Sequence, residues 1–179
     1  MDNNKDFGTL EMLCEDILMD TYDSILLGFG TELLKYKNDG IDDVLSCLAK
    51  YLEHKNYFII SSVKDDILRN SELNQKRIVC PYLGETDKTN EDKQWDLYNK
   101  WLSGTLAKKL LVVELGEGFN NPNLIKWPFE RIVMINEKAR FYRIHSMFYQ
   151  IPPEIKDKSV TYKYDAYEVL KTLVNMFKH

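Results

Sequence analysis

The sequence predicts an α/β fold in which helices cover both faces of a parallel β-sheet. Short apolar runs that favour strands, such as residues 57–62 and 110–115, alternate along the chain with longer segments of helical periodicity. Strands that alternate with helices pair in parallel through right-handed crossovers. The chain has 179 residues, enough for one domain with a sizeable core. Because no repeat, long linker or low-complexity tract divides it, we expect a single domain over residues 9–179.

The clearest helix is predicted over residues 41–52. Its apolar residues share one helical face, and Asp42 and Asp43 stand in the first turn, where the helix dipole favours negative charge. Further helices are expected at 9–21, 63–70, 92–108 and 166–177, with a short helix or turn at 31–37 and a helical stretch after Pro122 that is interrupted near Pro128. The predicted strands are 23–28, 57–62, 77–80, 110–115, 139–144 and 160–164. Residues 1–8 are expected to form a flexible tail, and the polar segment 81–91 a loop.

Composition and charge argue against several classes of protein. The chain carries 24 Lys and Arg against 28 Asp and Glu, a formal net charge of −4, which argues against a general nucleic-acid binder. No apolar run approaches the length of a membrane span and the N-terminus is polar and acidic, so we expect a cytoplasmic protein that does not bind membranes. Cys14, Cys47 and Cys80 stand far apart without a CxxC pair. We therefore expect no zinc and no other metal site.

Two glycine turns suggest one shared binding site. The first predicted strand ends in residues 28–30 (Gly-Phe-Gly) and the fourth in residues 116–118 (Gly-Glu-Gly). In a doubly wound, Rossmann-like sheet these two strands are neighbours where the strand order reverses, and ligands bind beyond their carboxyl ends. Gly28 would allow a sharp turn, Gly30 would let the backbone approach a phosphate, and a helix that begins near Thr31 would offer free N–H groups.

The glycine pattern also departs from a dinucleotide-binding turn. The third small position is not a glycine, and Glu32 and Glu117 bring negative charges toward a phosphate. Glycines end strands in many proteins that bind no ligand there. An ordinary strand-to-helix turn therefore stays open as an alternative.

Around the second glycine turn the sequence resembles a known family. Residues 111–122 (Leu-Val-Val-Glu-Leu-Gly-Glu-Gly-Phe-Asn-Asn-Pro) and then 125–130 (Ile-Lys-Trp-Pro-Phe-Glu) are similar to the later half of divergent bacterial sirtuins. Those relatives carry a Glu-Leu-Gly-x-Gly-x-Asn-x-Pro turn followed by a Pro-Phe pair. Looser similarity at 28–33, 57–65, 141–144 and 165–166 extends the resemblance over most of residues 20–170.

The resemblance implies a sirtuin-like module that holds NAD, ADP-ribose or a related dinucleotide between the two glycine turns. The glycines would face the phosphates, two asparagines would hydrogen-bond a ribose, and an Asp-Ala pair before the last helix would lie against the adenine. The cofactor-binding residues implied in this way are Gly28, Phe29, Gly30, Thr31, Asp65, Gly116, Gly118, Asn120, Asn121, Asp165 and Ala166.

Departures from the family pattern argue against lysine deacylase activity. Relatives use a His, or in the divergent group a Gln, as the base, whereas the matching residues 79–84 (Val-Cys-Pro-Tyr-Leu-Gly) contain neither. The Tyr82 hydroxyl, with an ordinary pKa near ~10, is a poor base at neutral pH. Val63 and Lys64 stand where relatives place the Asn beside the nicotinamide pocket, and the four-cysteine zinc module is missing from the sequence. We therefore assign no catalytic residue.

Three functions stay open at this point. The first is a non-catalytic NAD- or ADP-ribose-binding module. The second is a structural relic whose surface binds another protein or a second copy of the chain, and a crevice filled by Phe29 or Glu32 would favour it. The third is an enzyme with altered chemistry, such as NAD hydrolysis or ADP-ribosyl transfer, with Asp65 or Glu117 near the ribose. His54 and His145 are expected at surface or capping positions.

Overall fold

The computed structural model describes residues 9–19, 21–36, 40–82 and 88–177. The predicted tail at 1–8 and residues 83–87 of the predicted loop lie outside these ranges. Within the described residues six strands form one sheet: β1 (Ser24–Phe29), β2 (Tyr57–Ser61), β3 (Ile78–Val79), β4 (Leu110–Leu115), β5 (Ala139–Ile144) and β6 (Ser159–Tyr162). The same part of the chain forms five α-helices: α1 (Leu10–Met19), α2 (Ile41–Leu52), α3 (Lys88–Ser103), α4 (Lys126–Ile135) and α5 (Ala166–Met176). Shorter 3₁₀ segments cover Thr31–Tyr36, Gln75–Arg77 and Pro153–Lys158.

The sheet is parallel throughout, and its strand order is β3-β2-β1-β4-β5-β6. This order reverses between β1 and β4, as in a doubly wound dinucleotide-binding fold. In the register of that pair, Gly28 lies opposite Glu114 and Phe29 opposite Leu115. The predicted Rossmann-like class is confirmed, and so is the prediction that the strands leading to the two glycine turns are neighbours.

Two apolar cores cover the sheet, one on each face. Because side chains alternate along a strand, Leu111, Val113 and Leu115 of β4 join the core under α1, α2 and α5, whereas Leu110 and Val112 join the core under α3 and α4. Each fully buried side chain of this kind stabilises the fold by about 1.5–3 kcal/mol relative to exposure. All six residues of β4 are buried, which explains the nearly continuous apolar run in its sequence.

Local predictions fail at three helices. Residues 63–70 form turns rather than a helix, with Asp65 Oδ1 accepting the Ile67 N–H (3.1 Å) and the Asp66 carbonyl accepting the Asn70 N–H (2.8 Å). Helix α3 begins at residue 88 and ends at 103, earlier at both ends than predicted. Pro128 does not interrupt α4, because it lies in the first turn, where a backbone N–H has no partner within the helix.

Candidate functional site

The candidate site lies at the carboxyl edge of the sheet, where the loops after β1 and β4 meet. The Gly30 N–H donates to the Leu115 carbonyl (2.8 Å), and the Glu32 N–H donates to the Gly116 carbonyl (3.2 Å). The Gly116 N–H donates in turn to the Ile144 carbonyl at the end of β5 (2.9 Å). The two predicted glycine turns are thus in direct backbone contact at the reversal of the strand order.

Glycine is required at both contact points of these turns. A Cβ on Gly30 would lie 2.1 Å from the Gly116 oxygen and 2.3 Å from the Glu117 Cα. Gly116 has a φ of +72°, a left-handed conformation that favours glycine, and a Cβ there would lie 2.7 Å from the Glu32 Cβ. We predicted that Gly30 lets the backbone approach a phosphate. On the Cβ side of Gly30, the atoms that come close are instead backbone atoms of Gly116 and Glu117.

Gly28 has a different role from the predicted one. It lies inside β1 in extended conformation, so the prediction that it makes the sharp turn is wrong. A Cβ at this position would lie 2.7 Å from both Ile125 Cγ2 and Phe129 Cε2. Gly28 therefore allows the segment that begins α4 to pack closely on β1.

Glu32 is buried at the other side of the second turn, with 4% of its surface exposed. Its carboxylate accepts hydrogen bonds from the Ser146 N–H (3.3 Å), the Ser146 hydroxyl and the Ala166 N–H (3.3 Å). The Asp165 carboxylate accepts the next two N–H groups of α5. Carboxylates of the protein thus occupy the start of α5, where a helix would otherwise attract an anionic ligand.

Phe29 does not plug the site with its ring. Its side chain is 1% exposed and packs with Leu33, Ile41 and Leu45 in the core on the α2 side. Only the backbone of Phe29 is therefore available at the edge of the sheet, where its carbonyl accepts the Ser62 N–H (3.0 Å).

Glu117 connects the end of β4 to the loop after β2. Its Oε2 accepts a hydrogen bond from the Ser62 hydroxyl at 2.5 Å, and only 3% of the residue is exposed. Burial raises the pKa of Glu117 to about 7, and the charge of Glu114 acts in the same direction. The hydrogen bond from Ser62 and the charges of Lys126 and Arg143 lower that pKa by smaller amounts. A carboxyl with a raised pKa at a ligand-binding edge is a candidate functional group.

The variant Glu117→Gln should gain stability relative to the wild type as the pH rises. Because burial raises the folded-state pKa from 4.5 to about 7, ionised Glu117 opposes folding. This cost is absent below the pKa that Glu117 has in the unfolded chain, and it grows as the pH rises through the pKa that Glu117 has in the folded protein. From about pH 5.5 to about pH 8, the free energy of unfolding of the variant minus that of the wild type should rise by about 2 kcal/mol. Urea unfolding at the two pH values measures this difference, and a constant difference would contradict the assignment.

A buried ionic cluster supports the second turn from the α4 side. The Glu114 carboxylate accepts hydrogen bonds from the Lys126 ammonium (2.9 Å) and the Arg143 guanidinium (2.8 Å). All three side chains are at most 1% exposed. Arg143 also donates to Glu130 (2.7 Å) and to the Gln150 carbonyl (2.7 Å). Burial lowers the pKa of Lys126, whereas the Glu114 carboxylate raises it. The cluster fixes the end of β4, the start of α4 and the loop after β5 against one another.

His145 caps a turn, one of the two positions predicted for it, and it is buried with 6% exposure. Its Nδ1 accepts the N–H groups of Met147 (2.9 Å) and Phe148 (3.1 Å). Burial is the main cause that lowers the His145 pKa, and the neutral ring forms no ion pair with Glu32, whose Oε1 is 3.8 Å from Nδ1. His54 is exposed just after α2, as predicted.

The other predicted site residues differ in their surroundings. A Cβ on Gly116 would lie 3.2 Å from the Ala166 Cβ, so the second turn and the Asp165-Ala166 pair are neighbours. Thr31, Gly118 and Asn121 are half-buried and Asn120 is exposed. By contrast, Asp65 uses Oδ1 to cap its own turn. As cofactor-binding residues, all of them stay predictions.

Sequence reasoning missed several polar residues around the site, of which Ser62, Glu114, Lys126 and Arg143 are buried and Ser146 is half-buried. A signal existed for two of them. Glu114 interrupts an apolar strand, and Arg143 lies in a strand of alternating aromatic and basic residues, directly opposite Glu114 in the register. Because a buried charge needs a partner, the two strands could have been paired through these residues.

The described part of the chain has neither a cluster of metal-ligating side chains nor a membrane-spanning helix. There, no group of three or more His, Cys, Asp or Glu side chains is arranged to hold a metal ion. No helix among those residues has the length and apolar character needed to cross a bilayer. The expectation that the protein contains no zinc stays a prediction, which elemental analysis would test.

Comparison with known proteins gives one loose link. No protein-family model matches the chain. Over 90 residues it is 27% identical to a Staphylococcus aureus (strain Mu50) protein named protein ADP-ribosyltransferase. The match covers 50% of this chain but 29% of that protein, so the matched part spans less than a third of the relative's length. This similarity is a loose link to the area of ADP-ribosyltransferases, and the resemblance to sirtuins stays a prediction.

Proposed function

We propose that the protein binds NAD or ADP-ribose at the carboxyl edge of the sheet, where β1 and β4 are neighbours. The observation that carries the proposal is the reversal of the strand order at this pair, with both glycine turns in backbone contact there. In open α/β sheets, ligands bind at this point. The similarity to a protein named ADP-ribosyltransferase agrees with a ligand that contains ADP-ribose.

We assign the phosphates and the adjoining ribose to the outer part of the second turn. A Cβ on Gly118 would make an ordinary contact with the Phe148 ring at 3.7 Å, so this backbone is less crowded than that of Gly30 or Gly116. Asn120 and Asn121 follow at the surface with carboxamides that can donate to and accept from ribose hydroxyls. Thr31 is half-buried at the start of its 3₁₀ segment and contributes from the first turn.

In this proposal the site binds the dinucleotide and does not deacylate lysine. Positions 63 and 64 lack the Asn that relatives place beside the nicotinamide pocket, and residues 79–84 lack the His or Gln base. ADP-ribosyl transfer or NAD hydrolysis is the alternative chemistry. Of the two carboxyls first considered for it, Glu117 lies at the reversal point, whereas Asp65 caps a turn after β2.

Binding is tested by the melting temperature with and without NAD or ADP-ribose. A ligand at one hundred times its dissociation constant adds about 2.7 kcal/mol to stability, if it binds only the folded state. For a domain of this size we expect the melting temperature to rise by roughly 5–10 °C. No shift with millimolar NAD or ADP-ribose would contradict the proposal.

The matched variants Gly118→Asp and Gly118→Asn locate the site. Both add a side chain of similar size at a position that accepts a Cβ, but only Asp adds a negative charge beside the phosphates. Near a protein surface, two like charges a few ångströms apart repel by about 1–4 kcal/mol. The Asp variant should therefore bind at least about fivefold more weakly than the Asn variant. Equal affinities would place the phosphates elsewhere.

A specific observation favours a second candidate, the structural relic that acts through its surface. The Glu32 carboxylate occupies the space between Ser146 and the start of α5, which is part of the predicted crevice. Exposed apolar side chains near the same edge, Phe119 and Met147, fit a partner protein or a second copy of the chain. The melting temperature distinguishes the two candidates. Only the first candidate predicts that the ligand raises it and that this rise depends on the charge at position 118.

A further inference from the structure

We propose that Glu117 is itself a ligand-binding residue and that it binds the dinucleotide in its protonated form, donating a hydrogen bond from the neutral carboxyl. This inference rests on the proposed function. It gives a hydrogen-bonding role toward the ligand to a residue whose negative charge, when ionised, would oppose a phosphate.

The geometry puts Glu117 in the middle of the proposed site. It is the central residue of the second glycine turn, and its Cα would lie 2.3 Å from a Cβ on Gly30 of the first turn. Its side chain reaches the Ser62 hydroxyl, and Ser62 is itself anchored to the end of β1 through the Phe29 carbonyl. The carboxyl therefore crosses the end of β1, between the elements that would hold the phosphates.

Among the residues that the structure describes, no cation forms an ion pair with Glu117. From β4, Glu114 is paired with Lys126 of α4 and with Arg143 of β5. Arg143 is shared further with Glu130. The closest polar partner of Glu117 is the neutral hydroxyl of Ser62, at 2.5 Å.

A neutral carboxyl suits this position better than a carboxylate. An ionised, buried Glu117 would repel the pyrophosphate, whereas a protonated one can donate to it. Because Ser62 donates to Oε2, the proton can reside on Oε1 and be offered to a ligand oxygen. Burial raises the Glu117 pKa to about 7, so the proton is available near neutral pH.

The test measures the dissociation constant of ADP-ribose by calorimetry between about pH 6 and about pH 8.5. The pyrophosphate of ADP-ribose is doubly esterified and stays fully ionised over this range, so the ligand's phosphates do not titrate. With a Glu117 pKa of about 7, wild-type affinity should fall about 30-fold from the lower to the higher pH.

Three variants sharpen the test. Glu117→Gln stays neutral, so it should bind with one affinity at every pH, close to the wild-type value at low pH. Ser62→Ala removes a hydrogen bond that lowers the Glu117 pKa, so its affinity should decline at a higher pH than in the wild type. Glu137→Gln replaces an exposed carboxyl in the turn before β5, and it should keep the wild-type profile.

Failure of the proposed function and failure of this inference would give different results. If folded wild type and Glu117→Gln both fail to bind ADP-ribose at any pH, the proposed function fails and this inference with it. If the wild type binds with an affinity that does not depend on pH, the function stands and the role of Glu117 is overturned. A pH dependence that survives in Glu117→Gln overturns it as well, because another group then carries the proton.

Discussion

Gly30→Ala is expected to destabilise the protein by about 3 kcal/mol or more, a large part of the total stability of a single domain. The added Cβ would lie 2.1 Å from the Gly116 oxygen and 2.2 Å from its carbonyl carbon. These are backbone atoms, which cannot rotate away like a side chain. Moving them would also break the hydrogen bonds between the two turns, from Gly30 to Leu115 and from Glu32 to Gly116.

Gly118→Ala is the matched control for this variant. It makes the same substitution in the second turn, where the nearest atom to the new Cβ is 3.7 Å away. Since Gly→Ala also stiffens the unfolded chain, we expect a change within about 1 kcal/mol, in either direction. Urea unfolding of both variants measures the contrast. Similar losses at the two positions would mean that the turns do not pack as described.

Arg143→Met should cost about 3–5 kcal/mol, because it removes one member of a buried ionic cluster and leaves the others incompletely paired. The guanidinium, 1% exposed, bonds to both Glu114 and Glu130 and to the Gln150 carbonyl. Methionine fills much of the same volume, so the loss reports the missing hydrogen bonds and charge rather than a cavity.

Arg69→Met controls for the general effect of replacing an arginine. Its ion pair with Asp66 is 3.8 Å long, and both side chains are about half exposed or more. Such surface pairs contribute about 0–1 kcal/mol. Denaturant unfolding of Arg143→Met and Arg69→Met should therefore differ by about 2 kcal/mol or more, and a smaller difference would contradict the structural role of the cluster.

The sequence was sufficient for the sheet because burial on both faces leaves a local mark. The apolar run of β4 appears at the predicted residues, and its pairing with β1 followed from the alternation of strands and helices. Segment 63–70 failed because its apolar spacing suited a helix, whereas the Asp65 carboxylate stabilises a tight turn instead. Competition of this kind depends on a single side-chain contact and leaves little periodic signal.

The glycine turns show the limit of prediction at the site. Their position was predicted, but the role of each glycine depends on what occupies the space of its missing Cβ. For Gly28 the neighbours are Ile125 and Phe129, far along the chain, and for Gly30 they are Gly116 and Glu117. Long-range contacts of this kind cannot be read from a local pattern.

The buried acids were the least predictable part of the site. Glu32 and Glu117 were both recognised as negative charges near a phosphate, but their partners could not be foreseen. Glu32 accepts N–H groups from Ser146 and Ala166, more than one hundred residues away in sequence. Glu117 meets Ser62 from the loop after a different strand. Their effect on a ligand depends on these partners, and for Glu117 also on its protonation.

A crystal structure of the protein with ADP-ribose tests the central claim most directly. We predict that the pyrophosphate lies beside Gly118 and Thr31 at the reversal between β1 and β4, with the Glu117 carboxyl within hydrogen-bond distance of a ligand oxygen. ADP-ribose bound at another surface would contradict the account. So would crystals that show none at saturating concentration, with the contacts of Glu32 and Glu117 unchanged.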